Sequence, residues 1–215
     1  GDISNDALIA TSHLSVYLQR LQDLKLVERR LPAATPPAKR RTSRLGRYHL
    51  ADPYFRFYFR FIAPFHEYLP FDTEQVLERI RHDLRGFVGG TAFEDLARQW
   101  GTQQGRAGTL PLRPGIVGSH WSRKVQIDVV AVDWEARQLL LGECKWGDGS
   151  VDRSVVRDLI EGKGELLRKE LPDGEAWRFH YAVFSRAGLT PAAAAELAKY
   201  NGLHVDLARL DGELV

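Results

Sequence analysis

From residue 124 onward, apolar and polar positions fall into short runs that switch between strand and helix periods. Lys124-Val-Gln-Ile-Asp-Val-Val-Ala-Val-Asp-Trp134 and Leu139-Leu-Leu-Gly-Glu-Cys-Lys-Trp146 are apolar runs separated by the polar turn 135–138, the pattern of two buried strands in a hairpin. The spacing then predicts a helix near 152–170, a strand at 178–184, a helix at 191–200 and a last strand at 203–209. With a helix at 91–101 and a loop or strand to about 120, the order becomes αβββαβαβ. That is an α/β domain in which helices cover a mixed sheet.

The preceding part of the chain has a different texture. Asp6 to Ala10 reads as the remnant of a short helix, and Thr11 or Ser12 can cap a second one. There Leu14, Tyr17, Leu18, Leu21 and Leu24 form one stripe expected to be buried. A short strand at 26–31, a loop rich in Pro and Arg (Pro32 to Arg47) and a strand at 47–50 follow. Pro53 to Leu69 carries Phe55, Phe57, Phe59, Phe61 and Phe65 with three tyrosines, interleaved with Arg56 and Arg60. Such a helix can stack bases, but joining two domains is its commoner use. Gln75 to Arg85 continues as an amphipathic helix, and Gly86, Gly89 and Gly90 are expected to break the chain before the next domain. The expected division is 1–52, 53–89 and 90–215.

Composition narrows the class. Of 215 residues, 44% are apolar and 27% charged, a globular rather than disordered balance. No run reaches the roughly 20 apolar residues of a membrane span, and the first residues lack a signal peptide's basic and apolar regions. A soluble, cytoplasmic protein with no membrane partner is expected. Methionine is absent, which suggests a piece of a longer protein. The single cysteine, Cys144, excludes an internal disulfide and a multi-cysteine zinc site. Charge is uneven: residues 1–70 carry 11 Lys/Arg against 6 Asp/Glu (+5), and residues 71–215 carry 19 against 22 (−3). Arg29, Arg30, Lys39, Arg40, Arg41, Arg44 and Arg47 lie close together, which suits either a polyanion partner or a solvated loop.

The chemistry gathers on the hairpin. Glu143 and Lys145 are two apart on one strand, so both emerge on one face, and Asp128 lies inside the strand before it. An unpaired carboxylate on a buried strand costs several kcal/mol. Two acids and a lysine therefore make sense around a divalent cation such as Mg²⁺ or Mn²⁺, completed by waters and a phosphate oxygen. The lysine can then steady phosphate charge or orient an attacking water. Acid-x-Lys also occurs at Asp23-Leu-Lys25 and Glu161-Gly-Lys163, but in ordinary helical settings.

Asp128, Glu143 and Lys145 in this context resemble the PD-(D/E)xK phosphodiesterases, although Ile127 stands where many members carry proline. The resemblance covers roughly 90–210 and implies a restriction-endonuclease-like αβββαβ core. It also offers Glu94 on the preceding helix as a further catalytic or metal-assisting acid. Thr91 followed by Glu94 equally fits a helix capping box. The passage SHLSVYLQRLQDLKLVERRLP resembles a winged helix-turn-helix lacking its first helix. By that resemblance the wing residues Lys39, Arg40, Arg41, Arg44 and Arg47 and the helix face bearing His13, Ser15, Gln19 and Arg20 would meet DNA, or a protein partner instead.

Taken together with Tyr48-His-Leu-Ala-Asp-Pro-Tyr-Phe-Arg-Phe57, Gly118, Trp121 and Leu141-Gly-Glu-Cys-Lys-Trp146, the whole chain resembles the C-terminal half of archaeal-type AAA+ ATPases. This implies an ATPase module ahead of Gly1; the chain itself has no GxxxxGK[ST] phosphate loop. Two functions stay open: a metal-dependent DNA phosphodiesterase with a DNA-docking winged helix, or a binding or assembly module that keeps the nuclease fold without turnover. Oligomeric state is open too, a homo-oligomer included. His120, near Trp121 and Ser122, reads as a hydrogen-bonded structural residue. Arg157 and Lys163, on the helix after the hairpin, could touch a nucleic-acid backbone but read better as a solvated helix face; Cys144 reads as core, and Ser185 belongs to no Ser-His-Asp spacing.

Overall fold

The computed structural model describes residues 2–214, in two units. The first comprises 1–31 and 43–83, the second 32–42 and 84–215.

In the first unit the helix Asp2–Asp6 precedes the helix Thr11–Asp23. Ala10 occupies the N-cap position without a side-chain hydrogen bond, and the Thr11 side chain lies outside the described residues. The buried stripe is narrower than its periodicity suggests: Leu14, Leu18 and Leu21 are half-buried, while Tyr17 and Leu24 are exposed. Strands β1 (Val27–Arg30) and β2 (Arg47–Leu50) pair antiparallel, Val27 opposite Leu50 and Arg30 opposite Arg47. Asp52 caps the next helix by accepting the Tyr54 N–H. That helix, Pro53–Phe57, widens into a π turn over Tyr58–Ile62, burying Phe61 and leaving Tyr54 and Phe59 exposed.

Two expectations are corrected here. The loop after β1 is not one open wing. Pro32–Thr42 belongs to the second unit, where the Ala33 N–H donates to the Ser119 carbonyl at 2.8 Å. Ala33 and Ala34 are buried, and Pro37–Arg40 forms a helical turn. Nor do Gly86, Gly89 and Gly90 break the chain. The helix Thr73–Phe87 runs through a π turn at Val88–Phe93 into the helix Glu94–Ala107. A Cβ on Gly89 would lie 2.8 Å from the Trp146 Cβ, so this glycine provides close approach rather than a stop. The helix ends at Gly108, whose φ of 73° supplies the left-handed cap.

The second unit is built on a five-stranded mixed sheet: β3 (Ile116–Trp121), β4 (Gln126–Asp133), β5 (Gln138–Lys145), β6 (Arg178–Ser185) and β7 (Leu203–Val205), in chain order. β3–β4 and β4–β5 are antiparallel, whereas β5–β6 and β6–β7 are parallel. Parallel neighbours need crossovers. These are the helical stretch Arg153–Arg157, Asp158–Gly164 and Glu165–Arg168, and the helix Pro191–Ala198. Both sheet faces are covered, which explains the near-continuous apolar runs of β4 and β5. One face packs Ile127, Val130, Leu139, Leu141 and Val183 against Val156, Leu159 and Leu167. The other packs Val129, Ala131, Leu140 and Phe184 against Phe93, Ala97 and Trp100. Each fully buried Val, Leu, Ile or Phe side chain among these contributes about 1.5–3 kcal/mol. The last strand stops at Val205, short of the expected 209. The Asp206 carboxylate accepts the Arg209 N–H and starts a helix, Leu207–Glu213.

Candidate functional site

The site begins with an irregularity in β4. Gly118 pairs with Val130 and His120 with Ile127, so β4 takes three steps where β3 takes two. The extra residue falls at Asp128–Val129. It lets Ile127 and Val130 share one face while Val129 turns to the other. Bulges of this kind re-aim side chains. On the other side Val129 opposes Gly142 of β5, so the next step brings Asp128 alongside Glu143. The Asp128 Oδ2 accepts the Cys144 N–H at 2.9 Å, tying the two strand ends together.

On β5, Glu143 and Lys145 alternate onto the face covered by the helical stretch 153–168. Lys145 Nζ donates to Glu143 Oε1 at 2.7 Å. The other carboxylate oxygen, Oε2, accepts from Lys163 Nζ at 2.6 Å. Glu143 is 5% exposed, so its charge is stabilised by these two ammonium groups rather than by water. Lys163 was expected on a solvated face and instead completes the site. It stands one turn beyond the buried Leu159 and Ile160, an i, i+3/i+4 relation that marks the inward face. That spacing is the signal in the sequence that identifies it. Arg157 does face outward and lies 3.9 Å from Glu196.

Asp128 is half-buried among charges of both signs. Burial, and then the charge of Glu143, push its pKa above the usual aspartate value, against the Cys144 N–H, Lys163 and Lys145. Glu94 comes from the helix on the opposite sheet face. Burial, followed by the charge of Asp128, raises its pKa despite Arg98. Arg98 bridges this group, donating to Glu94 at 3.3 Å, Asp95 at 2.5 Å and the Asp128 carbonyl at 3.0 Å. Nothing in the linear pattern around Arg98 announces that role. Burial works against the Lys145 ammonium, but its hydrogen bond to Glu143 and the nearby acids outweigh it and raise its pKa. The capping-box arrangement does not form: Thr91 lies within the π turn, and its hydroxyl donates to the Phe87 carbonyl.

These donors fit a hard divalent cation only in part. Among the described residues no three of His, Cys, Asp or Glu are gathered as a ready ligand set, and Glu94 does not join Asp128 and Glu143 as a third ligand. Mg²⁺ needs no such set, since it is commonly held by one or two carboxylates with waters and substrate phosphates. Asp128, raised by burial and then by Glu143, is a carboxylate whose charge a cation would stabilise.

The remaining positions divide. His13, Ser15, Gln19 and Arg20 are all exposed, with Gln19 donating to Asp23 at 2.8 Å. Lys39, Arg41, Arg44 and Arg47 are exposed, but Arg40 turns inward, donating to the carbonyls of Pro32 and Ala33. Lys39, Arg40 and Arg41 belong to the second unit, whereas Arg44 and Arg47 belong to the first. His120 is buried with Nε2 3.4 Å from Glu170. Burial pushes the Cys144 thiol up; its side chain packs with the core of the other face. Ser185 is fully buried against His204. No helix among the described residues is long and apolar enough to cross a membrane.

No solved structure matches the chain. An uncharacterized protein of Methanocaldococcus jannaschii, MJECL04, is 31% identical over 172 residues, which cover 78% of this chain but 37% of that protein. The chain thus spans little more than a third of the curated relative it matches. Residues 58–157, which include Asp128, Glu143 and Lys145, match the family DUF234, described as archaea bacterial proteins of unknown function.

Proposed function

We propose that the second unit is a metal-dependent DNA phosphodiesterase of the PD-(D/E)xK kind, with the first unit a winged helix-turn-helix that docks DNA. One observation carries it: the bulged Asp128 set beside a Glu143–Lys145 pair at the ends of two hydrogen-bonded strands. Asp128 and Glu143 would hold Mg²⁺ or Mn²⁺, which when bound supplies Lewis acidity and neutralises phosphate charge. Lys145 orients the attacking water and steadies the charge that builds on the phosphate. Glu94, linked to Asp128 through Arg98, keeps the local charge negative rather than acting as a ligand. The exposed Lys39, Arg41, Arg44 and Arg47 would supply salt-dependent affinity for DNA, and the exposed His13, Ser15, Gln19 and Arg20 would face it. The likeness to AAA+ C-terminal halves is what supports an ATPase module as a partner of this segment.

Nicking of supercoiled plasmid with Mn²⁺ tests this reading. Asp128→Asn and Lys145→Ala should each lower the rate about 100-fold or more; equal cleavage by all three proteins overturns it. The second reading, DNA binding without turnover, is favoured by the lysines on both oxygens of Glu143. It predicts salt-sensitive binding to duplex DNA, by fluorescence anisotropy, with no nicking.

A further inference from the structure

The helical stretch after β5 carries a lysine onto the strand end. Between Arg153–Arg157 and Glu165–Arg168 the backbone widens into a π turn at Asp158–Gly164, a distortion often found at functional sites. Its buried residues Leu159, Ile160 and Gly164 hold it on the sheet. Its one lysine reaches the strand end: Lys163 Nζ sits 2.6 Å from Glu143 Oε2, and its side chain is 24% exposed. Lys145 holds the other oxygen at 2.7 Å and is 42% exposed. Two ammonium groups therefore share one nearly buried carboxylate while both keep a path to solvent.

We propose that Lys163 is a second phosphate-binding ammonium of this site, held on Glu143 until a divalent cation takes that carboxylate. The inference rests on the metal-dependent reading above and extends it to a residue outside the acid-x-Lys motif of β5. Cation and lysine compete for Glu143, so each weakens the other's hold on it. Once displaced, Lys163 and Lys145 are two neighbouring ammonium groups, each free to take an oxygen of one phosphodiester. Cation and substrate phosphate then bind cooperatively, because the first arrival frees the donors for the second.

The test uses the full chain, with Mn²⁺ affinity measured calorimetrically and binding of a fluorescent duplex oligonucleotide measured in Ca²⁺. Lys163→Gln should tighten Mn²⁺ and weaken the oligonucleotide, each by about fivefold or more, while Lys163→Arg keeps oligonucleotide binding. A purely structural lysine would weaken both ligands or alter only the melting temperature, and either result overturns the proposal. In the wild-type protein, acetylation footprinting should show Lys163 becoming more reactive with Mn²⁺ and protected again by oligonucleotide in Ca²⁺. Unchanged reactivity overturns the proposal without relying on any variant. If the wild type binds Mn²⁺ but Lys163→Gln changes neither affinity, this inference fails alone; if the wild type binds no Mn²⁺, the metal reading fails and takes it along.

Discussion

Two glutamates of the second unit look alike by burial and differ in what surrounds them. Glu143 is 5% exposed and Glu196 is 4%, and each carries more than one cation. Glu196, on the helix Pro191–Ala198, meets Arg153 at 2.5 Å, Lys199 at 3.0 Å and Arg157 at 3.9 Å. The Lys199 hydrogen bond, against the cost of burial and with help from Arg153, holds its pKa below the usual glutamate value. That is a carboxylate satisfied by its partners. Glu143 has two lysines but also Asp128 at its side, whose pKa burial, and then the charge of Glu143, push above the usual aspartate value. A buried acid with partners is therefore not by itself a sign of a site; unrelieved charge next to it is.

The contrast can be broken from the backbone. A Cβ on Gly142 would lie 2.8 Å from Phe184 and 2.9 Å from Val129, both in the core. Gly142→Ala should cost about 1–3 kcal/mol and lower the melting temperature by several degrees. It should also abolish any activity of the adjoining Glu143 while leaving the Glu196 ion pairs in place. A melt indistinguishable from wild type would show that β5 has slack the packing does not suggest.

A smaller effect sharpens the contrast by sign. Because Asp128 has a raised folded pKa, its ionised form weakens the native state above that pKa. Asp128→Asn, which still accepts the Cys144 N–H, should therefore raise the melting temperature at neutral pH by about 3 °C, the response to roughly 1 kcal/mol. The gain should shrink as pH falls through the raised pKa and vanish below the ordinary aspartate value of about 3.9. Glu196→Gln should do the reverse. It lowers the melting temperature at neutral pH, and the loss fades as pH drops from about 4.3 through the depressed folded value. Curves of one sign for both variants would contradict the assignment of charge excess to one site and charge balance to the other. Smallest of all, Lys199→Ala removes a 57%-exposed partner and should shift the melting temperature by about 1 °C or less.

Much of the second unit was legible in the linear pattern. The apolar runs gave β4, β5 and β6 within a residue or two, and the alternation of Glu143, Cys144 and Lys145 put the charged pair on one face and the thiol on the other. The elements missed depend on contacts between distant residues. The extra residue at Asp128 is defined only by the pairing of Gly118 and His120 across to β3. Gly89 looks like a helix breaker until Trp146 is set against it. The final helix replaced the end of an expected strand because Asp206 captures the Arg209 N–H, a local cap that a β-like run of apolar residues concealed. In the first unit, Tyr17 and Leu24 obeyed the helical period yet stayed exposed, since periodicity reports which face could be covered and not how wide the cover is.

The placement of Pro32–Thr42 bears on how this chain can be divided. The polypeptide enters the second unit for that segment, returns to the first at Ser43, and leaves it again near Leu84. No single cut separates the two. Expression from Leu84 onward would remove Ala33 and Ala34 from a core they share with Val125, Ile127 and Val130, together with the hydrogen bond that ends on Ser119. A shortened protein intended to isolate the sheet would need that strap restored, either by adding residues 32–42 as a separate peptide or by grafting them through a new linker.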